Sequence, residues 1–184
     1  GGVFPLYSEF DVEVRFSGGL VPAGMGGSLT ASQQAIFSAA ADRWSQLIIG
    51  DISDILVPGF GLVDDVVIDA TAAVIDGAGA GGFNIVGQAG PTFFRGGSFL
   101  PARGTMTFDV ADIVAQQTNG TFFDLVLHEM GHVLGIGTIW NALGLITRAD
   151  TANPRFTGAN ATNEFNSAFG LGAASVPVAN TGGA

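Results

Sequence analysis

The hydrophobic periodicity of this chain changes along its length in the order strand, helix, several strands, helix, and finally loops. Residues 10–16 alternate apolar and polar side chains, as a half-buried strand does. After Thr30, apolar residues recur at helical spacing as far as Ile48, and Gly50 ends that pattern. This order predicts an α/β or α+β fold in which one twisted mixed sheet packs against two main helices.

The middle of the chain supplies the remaining strands and the second helix. Residues 66–75 are rich in β-formers, and residues 84–88 and 105–108 indicate two further short strands. The pair Gly90-Pro91 is typical of a break between strands. A second helix is predicted to begin near Thr121, with Thr121 and Asp124 as a capping box and Gly135 just past its end.

Composition limits the classes of protein to which the chain can belong. Hydrophobic residues make up 47% of the 184 residues and charged residues only 12%, which predicts a single folded domain over residues 1–184. Six arginines against sixteen acidic residues give a net charge of −10, and such a chain lacks the basic surface that nucleic acids need. No apolar run is long enough to span a membrane. The absence of cysteine excludes disulfides and thiolate chemistry.

The surface and the end of the chain carry weaker signals. With 29 glycines and few charges, the surface is of a kind found on secreted or cell-surface proteins. The periodicity fades after residue 140, so residues 141–184 are predicted to form a loop-rich tail.

The chemistry is concentrated in the second predicted helix, which contains His128, Glu129 and His132 in the pattern HExxH. Side chains four residues apart lie on one face of a helix, so both imidazoles can bind one ion. Zinc takes neutral imidazole nitrogens, and an adjacent glutamate can act as the general base of a metallopeptidase. The alternative is a pair of structural histidines that interact with Glu129.

The longer segment HEMGHVLGIGTIW, residues 128–140, has a glycine three residues after the second histidine and resembles the metzincin clan of zinc peptidases. Most metzincins carry their third histidine at the position of Thr138, and the chain is similar here to leishmanolysin and its bacterial relatives, in which that histidine comes later. Further similarity covers residues 39–44, 64–65, 87–91, 107–112 and 176–183. The resemblance implies a metzincin-like catalytic subdomain, a zinc endopeptidase and a protein or peptide substrate. It also implies an edge strand beside the cleft, for which residues 81–88 are the candidate.

The third zinc ligand is the open question, because His128 and His132 are the only histidines of the chain. The resemblance implies that the third histidine and a Met-turn lie beyond the chain, in a missing C-terminal subdomain toward which residues 141–184 lead. A C-terminal fragment of the same precursor would then be a partner. Glu164, 32 residues after His132, is an internal candidate of the kind used by thermolysin-like peptidases, and Asp150 is another carboxylate in this region. A third possibility is an inactive structural or adhesive surface module on a peptidase fold.

Two groups of carboxylates are candidate calcium ligands. Asp64 adjoins Asp65, and Asp109 stands three residues before Asp112. Calcium prefers hard oxygen ligands, but neither spacing matches an EF-hand loop. Turns and helix caps are the alternative role for these acids.

Overall fold

A computed structural model describes residues 9–16, 29–77 and 84–179 of the chain. The chain forms two compact units, Gly1–Gly135 and Ile136–Ala184. The prediction of a mixed α/β fold with a mixed sheet is confirmed, although the described residues contain four helices rather than two. Within these residues, no helix combines the length and the apolar character needed to cross a membrane.

The first unit is built on a four-stranded sheet. Its elements in chain order are β1 (Val12–Phe16), α1 (Ala31–Leu47), β2 (Ile55–Val57), β3 (Gly61–Val63), β4 (Val66–Ala73), β5 (Gly87–Phe94), β6 (Pro101–Asp109), α2 (Ile113–Thr118) and α3 (Phe122–Val133). The sheet has the strand order β1-β4-β6-β5, in which β1, β4 and β6 are parallel and β5 is antiparallel to β6. Among the described residues, β5 is therefore an edge strand of this sheet.

Helices α1 and α3 bury the main core against one face of this sheet. Three fully buried rings, Phe37 of α1, Phe108 of β6 and Phe122 of α3, meet edge to face with centroids 5.3–5.9 Å apart. Aromatic pairs prefer this geometry and contribute about 0.5–1.5 kcal/mol each beyond the burial of their area. This cluster holds α3 against the sheet.

The hairpin β2–β3 forms a second, smaller core with Val67 and Ala102 of the sheet. The ring of Phe60, at the hairpin turn, lies 4.4 Å from the guanidinium of Arg15 and 3.6 Å from that of Arg103. Arg103 also pairs with Asp69 at 2.5 Å. Cation–π contacts thus connect the hairpin to the sheet.

The ends of the two long helices differ from each other. Thr30 and Gln33 form a reciprocal capping box at the start of α1, with bonds of 3.3 and 2.8 Å. The capping box predicted at Thr121 is wrong, because the Thr121 backbone is already helical and its hydroxyl donates to the carbonyl of Gln116 instead. Gly135 follows α3 with φ of 103°, the left-handed conformation expected after a helix end.

The predicted break at Gly90-Pro91 is also wrong, since both residues lie inside β5, which begins at Gly87. Proline has no N–H to donate, so it is tolerated mainly on edge strands. Because β5 is an edge strand, Pro91 removes no bond to a second neighbour, and the register of the pairing shifts just after it.

The second unit contains a small antiparallel sheet and a helix. Its elements are β7 (Ile146–Thr147), β8 (Arg155–Phe156), α4 (Ala159–Phe169) and β9 (Val176–Pro177), with the strand order β7-β8-β9. This region is more regular than the predicted loop-rich tail. Its helix is rich in Ala, Asn and Thr, and only Thr162 of it is buried, so its apolar content is too low to distinguish it from a loop in the sequence. Residues 180–184, which include the end of one similar segment, lie outside the described residues.

Candidate functional site

Helix α3 carries His128, Glu129 and His132 and is packed against the core of the first unit. Its inner side is buried through Val126, Met130 and Val133. His128 is exposed and His132 is half-buried, whereas Glu129 is only 3% exposed. The two imidazoles are therefore accessible from solvent while the carboxylate between them in sequence is not.

The imidazoles of His128 and His132 meet at their outer nitrogens. The two Nε2 atoms are 3.0 Å apart, and the rings are nearly perpendicular, with centroids 4.6 Å apart. Two nitrogens on one tetrahedral zinc, each at about 2.0–2.1 Å, are about 3.3 Å apart. The pair consequently fits a shared zinc ion, and the same separation also suits a hydrogen bond between the rings.

Glu129 lies in a setting that favours its protonated form. Burial raises the pKa of Glu129 above its ordinary value, and the nearby imidazoles of His132 and His128 oppose that rise. Its Oε2 atom is buried and has no hydrogen-bond partner among the residues described. A buried carboxylate oxygen without a hydrogen-bond partner costs free energy of folding. Such oxygens are typical of groups that bind a ligand or take up a proton.

The edge strand β5 passes close to Glu129 at its first residue. A Cβ atom placed on Gly87 would lie 3.5 Å from Cγ of Glu129 and 3.0 Å from the ring of Phe108. Of the predicted substrate strand 81–88, residues 81–83 lie outside the described residues and only Gly87 and Gln88 belong to a strand. The predicted position is thus corrected, because the edge strand runs from Gly87 to Phe94.

No third His, Cys, Asp or Glu side chain joins the histidine pair within residues 9–16, 29–77 and 84–135 of the first unit. The internal candidates belong to the second unit, where Glu164 lies on α4 and Asp150 in a turn, both exposed. A role for either carboxylate in binding zinc stays a prediction.

The structure brings Asp109 and Asp112 together and adds Asp76, which the sequence analysis missed. Ligand oxygens of the three lie within 4.8 Å of one another. Asp109 is fully buried and accepts four backbone N–H bonds of 2.8–3.0 Å, from Ile75, Asp76, Gly77 and Ala111. These bonds outweigh burial and lower the pKa of Asp109 to about 2.

One oxygen each of Asp76 and Asp112 is buried without a hydrogen-bond partner in the described part of the chain. The cluster therefore has the oxygen donors that calcium prefers. Asp76 joins it through the turn after β4, a long-range contact that no local spacing could reveal.

Asp64 and Asp65 also acquire a third partner, Asp51, within 4.8 Å. Asp65 is 1% exposed and has a structural role, because its carboxylate accepts the N–H groups of Asp11 and Ile52. Next to it, the buried guanidinium of Arg95 donates to the carbonyl oxygens of Asp64 and Asp65 at 2.5 and 2.7 Å. The carboxylate of Asp65 therefore joins separate segments of the fold.

No family model matches this chain, and comparison with curated proteins finds no significant match. The similarity to leishmanolysin-like peptidases therefore remains a resemblance in sequence pattern.

Proposed function

We propose that this protein is a zinc-dependent endopeptidase of the leishmanolysin-like metzincin type. The observation that carries the proposal is the 3.0 Å approach of the Nε2 atoms of His128 and His132 on a helix that also buries Glu129 beside them. A pair of structural histidines would explain the first of these features but gives no reason for the buried, unpartnered oxygen of Glu129.

Each residue of the proposed site has a separate role. His128 and His132 would hold the metal through Nε2. When bound, zinc would supply a water of lowered pKa and would polarise the scissile carbonyl. The carboxylate of Glu129 would accept a proton from the attacking water and return it to the leaving amine.

The substrate in this proposal is a protein or peptide. The enzyme itself is secreted or displayed on a cell surface. The unpaired edge of β5 begins beside Glu129, so an extended peptide could add to it as a further strand. A third ligand is required as well. It is either Glu164 of this chain or a histidine on a C-terminal fragment of the same precursor.

The test combines native mass spectrometry with a proteolysis assay on an unfolded protein substrate. Glu129→Gln keeps the shape of the side chain but removes the base, so we expect zinc to remain bound and cleavage to fall by about 10²–10⁴-fold. Asp124→Asn is the matched control, because Asp124 is an exposed carboxylate in the first turn of the same helix. It should leave both zinc binding and cleavage unchanged.

The outcomes separate the alternatives. Zinc binding that is lost in His128→Ala and in Glu164→Gln would identify Glu164 as the third ligand. Zinc binding that needs a co-purified fragment would identify the ligand there. A chain that binds no zinc and whose behaviour is unchanged by Glu129→Gln would refute the enzyme and favour the surface module.

A further inference from the structure

The second unit brings two arginines to one polar cleft. Arg148 follows β7, and Arg155 opens β8 and pairs in register with Thr147. The cleft has a volume of about 430 Å³ and is lined chiefly by Thr147, Arg148, Asn153, Arg155 and Ser175. Its lining is thus polar and cationic, in a chain that is otherwise acidic.

Arg155 is held in a fixed orientation by Ser175. Its Nε donates to the hydroxyl oxygen of Ser175 at 3.1 Å, and its Nη2 donates to the carbonyl oxygen of the same residue at 2.8 Å. Two of the five N–H groups of a guanidinium are used in this way. The remaining three N–H groups of Arg155 have no hydrogen-bond partner among the described residues. They are therefore available as donors in a fixed orientation.

Arg148 adopts a strained backbone conformation at the rim of the cleft. Its φ is 57°, in the left-handed region that costs a residue other than glycine roughly 1–2 kcal/mol. Thr151 stabilises this conformation by donating both its backbone N–H and its hydroxyl to the carbonyl oxygen of Arg148, at 3.1 and 2.8 Å. Strain of this kind is common at ligand sites, where it positions a side chain.

The charge of the two arginines is not neutralised within the described residues. Of the six arginines in the chain, only Arg15 and Arg103 form an ion pair with a carboxylate among the described residues. Neither Arg148 nor Arg155 forms an ion pair with a carboxylate in residues 9–16, 29–77 or 84–179. Two unpaired guanidinium groups that line one cleft form a natural receptor for an oxyanion.

We propose that this cleft is an oxyanion-binding site, which takes a carboxylate or phosphate group between Arg148 and Arg155. The fork of a guanidinium matches both groups, because each presents two oxygens at the required spacing. The hydroxyl of Thr147 and the amide of Asn153 add neutral donors along the same lining. The site does not depend on the proposed zinc peptidase and involves none of its residues.

The test is a titration of the full chain with inorganic phosphate and, separately, with succinate, in chloride buffer, followed by two-dimensional NMR. We expect saturable shifts confined to the residues around the cleft. In Arg148→Asn the affinity should fall by about tenfold or more, as for the loss of a charge-assisted hydrogen bond. Asparagine tolerates the left-handed conformation, so this variant removes the guanidinium without adding strain.

Two further variants make the result decisive. Arg155→Gln should lose binding equally, whereas Arg43→Gln, at an exposed arginine of α1, should bind like the wild type. Tighter binding of phosphate or of succinate shows which group the site prefers. The proposal is overturned if neither anion gives saturable shifts, if Arg148→Asn binds like the wild type, or if Arg43→Gln weakens binding to the same degree.

Discussion

The indole N–H of Trp44 donates to the carbonyl oxygen of Leu127 at 3.1 Å, so α1 is bonded directly to the helix that carries the histidine pair. Leu127 is the residue immediately before His128. Trp44→Phe keeps an aromatic ring but removes the donor, and we expect it to lower the free energy of unfolding by about 1–2 kcal/mol. Urea denaturation followed by circular dichroism measures this change. A change below about 0.5 kcal/mol would mean that the bond adds nothing to stability.

A second prediction concerns Gly104 of β6, which lies against Val133 of α3. A Cβ atom there would lie 2.3 Å from Cγ1 of Val133 and 2.7 Å from the carbonyl oxygen of Gly90. Gly104→Ala should therefore destabilise the fold by about 2–3 kcal/mol, since it forces a methyl group into a filled space. Gly90→Ala on the neighbouring strand is the control, because nothing lies within 4 Å of its added atom. Equal midpoints of thermal unfolding for the two variants would contradict the prediction.

A third prediction is a loss of stability in acid that depends on Asp109. The folded pKa of about 2 lies below the ordinary value of 3.8, so the stabilisation is complete well above pH 3.8 and is lost as the pH falls through this range toward 2. Asp109→Asn cannot accept the same four N–H bonds and should cost about 2–3 kcal/mol at neutral pH. Between pH 4 and 2 the variant should also lose less stability than the wild type, because it lacks the titrating group.

The matched control for that measurement is Asp42→Asn, at an exposed carboxylate of α1. It should follow the wild-type dependence of unfolding free energy on pH. If the acid loss of stability is the same in Asp109→Asn as in the wild type, other carboxylates cause it.

The zinc proposal also predicts a change in stability that does not depend on proteolysis. A ligand that binds only the folded chain stabilises it by about 2.7 kcal/mol at one hundred times its dissociation constant. Zinc should therefore raise the midpoint of thermal unfolding of the wild type. The rise should disappear in His128→Ala and in His132→Ala. A rise of the same size in both variants would place the bound zinc elsewhere.

Calcium binding by the acidic clusters stays a prediction, and two single variants distinguish the clusters. If calcium binds Asp76, Asp109 and Asp112, it should raise the unfolding midpoint of the wild type and of Asp51→Asn, but not of Asp76→Asn. Loss of the effect in Asp51→Asn alone would locate the ion at Asp51, Asp64 and Asp65. An unfolding midpoint that does not respond to calcium would show that these acids are purely structural.

Local signals predicted the parts of the fold that local physics determines. The helical period after Thr30 gave α1, and the positive φ of Gly135 follows from the need to end α3. The sequence also identified His128, Glu129 and His132 as a group, because one turn of helix places them side by side. What it could not give is the burial of Glu129, which depends on packing across the sheet.

Some errors and omissions occur where the tertiary structure overrides the local preference. Pro91 reads as a break, yet the edge position of β5 accommodates it. Asp76 and Asp51 carry no metal-ligand spacing of their own, and only folding brings them to Asp109 and Asp65. Arg148 and Arg155 line one cleft because β7 pairs with β8, which no periodic pattern in the sequence describes.

The parallel pairing of β1 with β4 has a consequence for the order of events during synthesis. Val12 is paired with Val66, and Val67 is in turn paired with Arg103. Each of these strand pairs can therefore form only after a strand that is synthesised much later. Such non-local contacts slow folding, because the chain between two paired strands loses conformational entropy before the hydrogen bonds between them stabilise the structure. We expect the sheet to form only after β6 has left the ribosome, and the nascent chain until then to expose unpaired strands that chaperones recognise.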